Sequence, residues 1–457
     1  MTNSNHSWKD RLETHLNACS LETLHAPTKS GSYPLIIGCY QLNEASSSSS
    51  KAETNDDNNG VELNTTVTEG ESETKQEASR SGELMLYSIN QELKFGTQED
   101  GYKCERIDTG SGVLDGKWLQ KKPFHMNNAK ENDGNKQEIL QSTLSSSEDS
   151  VEASYLYATA NASGAINVYR LLESEEIVSG STRLSLDHVG ASDADEDEYG
   201  LALSLAWDES SSTSCNGSGA CTRTRIVSSY SKGSLAIHNV QNGNSGNLQI
   251  EETHRWNAHT LFGCPSEVWT VCFASNRHYN TYADTVISGG DDCIMKLWDL
   301  RLCNNDSPTK PIATKKNFEA GVTTISYHPS LEHIFAVGSY DEVVRFWDMR
   351  KLAEPFGTVH VGGGVWRLKW HPKHEDRILV GAMHGGCRIV EMSGPIREGS
   401  SSEDDSFDLS SLSINVVKEF TEHQSMAYGA DWIHEENGVY DAAASCSFYD
   451  RQAFIWD

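Results

Sequence analysis

Three aspartates of this chain, Asp292, Asp341 and Asp450, each stand six residues before a Trp-Asp pair: Trp298-Asp299, Trp347-Asp348 and Trp456-Asp457. At the same offset in related segments stand His384 and Lys232. A tight-turn aspartate has two readings: a structural tie to a buried histidine and the following tryptophan, or a carboxylate turned to chemistry. Asp341 and Asp450 are the better placed for the second, because Tyr340 and Tyr449 precede them. His384 also has two readings, a stand-in for a turn aspartate bonded to nearby backbone, or a proton-transfer group, since imidazole titrates near neutral pH. Ser445, Cys446 and Ser447 offer nucleophile chemistry or, as small residues on an inner strand, packing; Cys446 occupies the slot that Ser288 holds elsewhere.

No familiar catalytic motif accompanies these residues. Gly-x-Ser-x-Gly, the strand-to-helix turn that presents a nucleophilic serine, is absent. So are HExxH, which would call for a metal, and the Gly-rich strand-to-helix loop that cradles a dinucleotide or adenosyl group. Any site must therefore be assembled from several segments far apart in sequence, and no metal and no cofactor is expected.

The elements that would position it repeat. Val286 to Arg301, Phe335 to Arg350 and Ala444 to Asp457 are each two short alternating runs around a Gly/Ser/Asp turn, which predicts a hairpin. Matched hairpins ending in Trp-Asp predict WD-repeat blades. An inner strand should precede each: Val268 to Phe273, Val322 to Tyr327, Val365 to Trp370 and Ala427 to Trp432, two of them stopped by His328-Pro329 and His371-Pro372. Weaker hairpins at Arg225 to Val240 and Tyr155 to Leu171, and strands at Leu35 to Leu42 and Leu84 to Ile89, complete the count. The expectation is an all-β, seven-bladed WD-repeat β-propeller over residues 11–457, with long disordered inserts at about 45–82, 125–150, 175–198, 210–221 and 393–411, whose Ser/Glu/Asn-rich composition buries little apolar surface. The last blade lacks an outer strand, which Glu13 to Ala18 should supply so that no edge stays unpaired. Trp269, Trp366 and Tyr428 fall second in the inner strands of three blades, near one end of the channel, and Tyr340 and Tyr449 sit in turns that open on the same end. Packing between blades and an open aromatic rim both fit that placement.

Charge narrows the partners. A formal net charge of −29, from 37 Lys and Arg against 66 Asp and Glu, argues against nucleic acid, whose binding needs clustered cations, and against anionic membranes. No apolar run spans a bilayer and the first ten residues lack a signal peptide's apolar core, so a cytoplasmic location is expected. Eleven cysteines without CxxC pairs fit reduced thiols, with Cys272 and Cys293 expected in the core.

Gly362-Gly-Gly-Val-Trp366-Arg-Leu-Lys-Trp370-His-Pro, Ala382-Met383-His384-Gly385, Tyr428-Gly-Ala-Asp431-Trp432 and Ser445-Cys-Ser-Phe-Tyr449-Asp450 follow one another in order, with Gly338-Ser-Tyr-Asp341 and Cys39-Tyr40-Gln41-Leu42 before them. This series resembles the WD-repeat family that acts late in diphthamide synthesis, the diphthine methyl ester hydrolases. The resemblance implies an esterase that removes the methyl ester of methylated diphthine, a modified histidine on elongation factor 2, ahead of a final amidation. It implies a general base or oxyanion partner in His384, with Asp341 and Asp450 as further catalytic candidates. Diphthine carries a quaternary ammonium, and aromatic faces attract such cations; Trp269, Trp366, Tyr428, Tyr340 and Tyr449 are the substrate-binding candidates. The family's older name, a methyltransferase, finds no adenosyl-binding loop here. The rival expectation is a non-enzymatic scaffold or a methyl-ammonium-binding propeller.

Overall fold

The alternating runs form strands where the hydrophobic period is two. The computed structural model describes residues 8–26, 28, 31, 33–43, 79–89, 93–95, 104–120, 155–175, 182–210, 224–243, 246–276, 278–303, 309–394, 412–434 and 441–457. They build seven four-stranded antiparallel sheets and one two-stranded hairpin. The sheets are the blades of a ring, each running outward through strands a, b, c and d. The inner strands a are Asn17–Thr23, Val113–Trp118, Ala202–Trp207, Thr270–Phe273, Val322–Tyr327, Arg367–Trp370 and Ala427–His434. Strand starts and the b–c turns share one end of the ring, here the upper rim. Strand ends and the a–b loops share the lower. Among the described residues no helix is long and apolar enough to cross a membrane.

Closure comes from the N-terminal side as expected, but the strand starts three residues and ends five residues earlier than Glu13 to Ala18. Asp10–Glu13 pairs with Gln452–Ile455 as the outer strand of blade seven, whereas Asn17 and Ala18 already belong to the inner strand of blade one. Trp8 packs on Phe454, ring centroids 6.0 Å apart, which sets the register of the joining strand. The insert expected at 175–198 is also corrected. Thr182–Ala191 is the outer strand of blade two, because Leu184, Leu186 and Val189 give it a buried apolar face, and Glu196–Tyr199 is a short helix capped by Asp195. Ser79–Gly82 likewise lies in a strand rather than an insert. The rest of that first insert and those at 125–150, 211–221 and 395–411 lie outside the described residues. Cys272 is buried as expected, but Cys293 occupies a turn at φ +60° and is only half-buried.

Two devices lock blade to blade. The blade tryptophans Trp298, Trp347 and Trp456 are fully buried between sheets. A second set, on the inner strands, uses its indole N–H, which needs a partner once buried. Trp118 donates to the Glu22 carbonyl at 3.3 Å, Trp207 to Lys117 at 2.9 Å, Trp370 to Ser326 at 3.1 Å and Trp432 to Lys369 at 2.9 Å, each carbonyl belonging to the preceding blade.

The channel itself is closed by charge. Glu22, Asp115 and Asp431 face Lys117, Arg367 and Lys369, all on inner strands of blades one, two, six and seven. Asp115 meets Arg367 at 2.9 Å and Lys117 at 3.2 Å, Glu22 meets Lys117 at 2.7 Å, and Lys369 bridges Glu22 and Asp431. Burial alone would push the Asp115 carboxyl up, but the Lys117 and Arg367 charges beside it hold it at about 2. Buried charges persist only when paired this way. The strands so fixed include Arg367–Trp370, whose preceding residue is Trp366.

Candidate active site

The histidine–serine pairs of the ring have a charge-relay geometry whose serines are buried. In blade four His259 meets Asp292 through Nδ1 at 2.8 Å and Ser288 through Nε2 at 2.8 Å, and Trp298 donates to the same Ser288 oxygen at 2.8 Å. His259 and Ser288 are wholly buried, and burial holds the imidazole below its usual range although Asp292 pulls the other way. Blade seven repeats the arrangement. His423 meets Ser445 at 2.7 Å and Ser447 at 2.8 Å, Trp456 donates to Ser445 at 3.0 Å, and Ser447 hydrogen-bonds Asp450. Asp450 also accepts from the Gln424 backbone at 2.9 Å. Both carboxylates thus tie a turn to the blade. Asp341 does so through a different partner: Arg345 replaces the histidine, pairing with Asp341 at 2.8 Å over the Phe318 ring. Burial would raise the Asp341 carboxyl, yet the bond from Arg345 keeps it below the ordinary range. Ser445 and Ser447 are buried inside the blade-seven network, and burial pushes the Cys446 thiol well up, so none of the three meets solvent.

His384 is placed otherwise. The ladder register aligns it with the turn aspartates, since Gly381 opposes Cys387 as Gly289 opposes Met295 and Gly338 opposes Val344. The turn conformation differs, with left-handed φ at Met383 (+43°) and Gly386 (+79°) rather than at one residue such as Cys293 or Glu342. The imidazole therefore projects to solvent. Arg388 takes over the structural task, donating to the Gly385 carbonyl at 2.6 Å. No hydrogen bond or ion pair commits the His384 ring among the described residues. The glycines beside it offer no oxyanion donors, because Gly385 N–H is spent on Ala382 O at 2.7 Å and Gly386 N–H on Met383 O at 3.1 Å.

The five aromatic candidates come together. Trp269 and Trp366 lie 5.7 Å apart by ring centroid, Tyr340 lies 6.4 Å from Trp269 and 5.9 Å from Trp366, and Trp366 meets Tyr428 at 4.9 Å. Phe448 carries the chain on from Tyr428 at 5.5 Å to Tyr449 at 4.9 Å and Tyr40 at 5.0 Å. The result is an aromatic arc over the upper mouth from blade four to blade one. Asp291 touches it, accepting from the Trp269 indole at 3.1 Å. Burial, with Tyr428, Asp291 and Glu267 nearby, raises the Tyr340 phenol, so it stays a protonated donor. His384 stands at the edge of this arc: the adjacent Met383 pairs with Ala427, the neighbour of Tyr428. Phe448 and Tyr40 were not among the aromatic candidates, because each reads in the sequence as one more apolar position in a strand or turn.

One cluster on the lower rim has the residue types of a metal site: ligand atoms of His371, His434 and Asp441 lie within 4.8 Å of one another. The tautomer argues against it. His371 Nδ1 accepts the backbone N–H of Lys373 at 3.1 Å and of His374 at 2.9 Å, which leaves the ring proton on Nε2, donated to Asp441 at 2.9 Å, and no lone pair there for an ion. His328 ends its own strand identically, donating from Nε2 to the Glu375 carbonyl at 2.8 Å.

Seven sheets closed by the N-terminal strand, with Asp–His–Ser–Trp ties, define a WD-repeat β-propeller, and the family of WD domain, G-beta repeats matches residues 254–299 and 309–348. A chain of the crystal structure of the mitotic checkpoint complex has the same fold, with a TM-score of 0.53 at 13% identity over 100% of this chain and 96% of that one. The chain is 31% identical over 364 residues to the diphthine methyltransferase homolog of Dictyostelium discoideum, covering 78% of each. It is also 31% identical over 365 residues to the diphthine methyltransferase of Homo sapiens, covering 79% of this chain and 64% of the human one. This chain belongs to the diphthine methyltransferase family of diphthamide biosynthesis.

Proposed function

We propose that the chain hydrolyses the methyl ester of methylated diphthine on elongation factor 2, giving the carboxylate that the final amidation consumes. The observation that supports this best is the unbroken aromatic arc with an uncommitted histidine at its edge. The quaternary ammonium of the substrate lies against Trp269, Trp366, Tyr340 and Tyr428, with Tyr449 and Asp291 at the margin; such contacts are worth about 2 kcal/mol when desolvated. His384 takes a proton from water as the oxygen adds to the ester carbonyl. The tetrahedral intermediate then expels the methoxy group, which leaves as methanol with that proton, and the carboxylic acid left behind gives its own proton to solvent to become the carboxylate. Asp341 and Asp450 serve the framework in this reading. Mass spectrometry of elongation factor 2 bearing methylated diphthine, incubated with the purified chain, tests it. Loss of the methyl group, abolished by His384→Ala with melting unchanged, is the expected result; no loss overturns the hydrolase.

A second reading, a propeller that binds methylated ammonium without hydrolysis, draws on the burial of Ser288, Ser445 and Ser447, which keeps every serine of both Ser–His networks from solvent. Retention of the intact ester-bearing factor without methanol release is its signature.

A further inference from the structure

One element lies outside the seven sheets. Thr260–Leu261 pairs with Cys264–Pro265 in a hairpin between the outer strand of blade three and the inner strand of blade four, on the upper rim. Its turn is Phe262-Gly263, with φ of +51° and +84°, the two-residue mirror-image turn that suits a hairpin's twist. Asn-Gly or Gly-Gly fills such turns at little cost; a bulky side chain at the first position is strained, by about 1–3 kcal/mol. Here the strained residue is also 98% exposed, with Leu261 beside it at 42%.

The stalk is rigid where the tip is bare. Ala258 and His259 both donate backbone N–H to the Gly233 carbonyl, at 2.8 and 3.0 Å, and Ser266 donates to the His259 carbonyl at 3.2 Å. His259 is the histidine of the blade-four tie, and Ser266 is buried. Three residues beyond Ser266 stands Trp269, the first ring of the arc. A strained, solvated phenylalanine on a fixed stalk returns nothing to the stability of this chain, so its return must come from a partner.

We propose that this hairpin is a docking finger for the folded protein that carries the substrate side chain, with Phe262 entering an apolar pocket on that protein set in a basic surface. The identity of the partner rests on the function proposed above. Charge on this rim selects the pocket's surroundings. The Glu196–Tyr199 helix packs on the same blade-three turn that receives the stalk, Lys232 donating to the Asp197 carbonyl, and Asp195, Glu196, Asp197 and Glu198 are exposed beside it. A second copy would set this acidic rim against itself at a net charge of −29 per chain, and anionic headgroups would be repelled.

Phe262→Asn keeps a residue that tolerates the left-handed turn, so melting should hold or rise. Surface plasmon resonance on elongation factor 2 bearing methylated diphthine should show binding weakened at least about tenfold, the loss expected of a central aromatic anchor. KM for the intact factor should rise to match with kcat kept, while a short peptide bearing the modified side chain is hydrolysed as before. Unchanged affinity for the factor, or equal loss on factor and peptide, overturns the finger. Binding that depends on Phe262 without any hydrolysis keeps the finger and sinks the hydrolase. Hydrolysis of the factor unaffected by Phe262→Asn does the reverse, and a wild-type chain that neither binds nor hydrolyses the factor overturns both.

Discussion

Replacing Asp115 by asparagine removes one carboxylate from a cluster that has three, and the structure sets the size of the loss. Asp115 is 2% exposed and accepts from Arg367 at 2.9 Å, Lys117 at 3.2 Å and Ser204 at 3.0 Å. Its carboxyl falls from 3.8 to about 2 on folding, burial opposing and the two cations prevailing. At 1.36 kcal/mol per unit the charged form contributes about 2–3 kcal/mol. The variant also strands Arg367, whose Nε already lacks a partner, and removing one member of a buried pair costs about 3–5 kcal/mol. The sign follows from the depressed pKa: the stabilisation is complete above the unfolded value near 3.8 and is lost as pH falls through about 2. Unfolding free energies of wild type and Asp115→Asn from urea titrations should therefore differ by about 3–5 kcal/mol at pH 7, keep that difference to pH 4, and converge only below it. A difference under about 1 kcal/mol at pH 7, or convergence already by pH 5, would refute the pairing on which the channel argument stands.

Other outcomes follow from the same contacts. Asp450→Ala should lower stability by about 1–2 kcal/mol, the worth of the bonds it accepts, and leave kcat of the folded enzyme within about threefold, whereas His384→Ala should do the opposite; calorimetry beside a methanol assay separates them. Trp366→Leu keeps apolar volume but removes the central face of the arc, so KM for methylated diphthine should rise about 5–30-fold with melting little changed. His328 and His371 are buried and His423 half-buried, all with pKa values near 4, desolvation being the main cause in each. Each is neutral in the fold and takes a proton on unfolding, so stability should fall between about pH 6.5 and 4; melting temperatures flat across that window would contradict the burial.

Blades four, five and seven were legible because their signal is local, an aspartate followed six positions on by Trp-Asp; blade six, which lacks both, was legible through its inner strand stopped by His371-Pro372. Blades one to three lack that signature, and their strands showed only as alternating runs; Thr182–Ala191 was hidden by an acidic neighbourhood although its own face is apolar. The charged channel left no trace. Glu22, Asp115, Lys117, Arg367, Lys369 and Asp431 are isolated charges in apolar runs, up to 409 positions apart, and only ring closure makes them neighbours. The aromatic candidates could be read because one strand register repeats across blades. His423 could not, since its partners Ser445 and Ser447 are named only by the fold, and the conformation of the His384 turn depends on φ values at Met383 and Gly386 that an identical ladder register does not distinguish.

The indole brackets on the inner strands are spaced unevenly. They staple blade one to two, two to three, five to six and six to seven. Blades four and five carry Phe273 and Tyr327 in the corresponding place; the first has no N–H, and the second turns back to the Glu332 carbonyl of its own blade. A cavity of about 200 Å³ lies against them, bordered also by Trp118 and Trp207. As a mechanical object the ring is a hoop with indole staples at four of its seven joints; the two flanking blade four are held instead by Arg225 to Asp284 at 3.1 Å and Asn276 to the His328 carbonyl at 3.0 Å, and the one between blades seven and one by Thr23 N–H on Asp431 at 2.9 Å, so a load that spreads the mouth meets polar ties in place of indoles in the sector of blades four and five. That sector carries Trp269, Tyr340 and the Phe262 stalk.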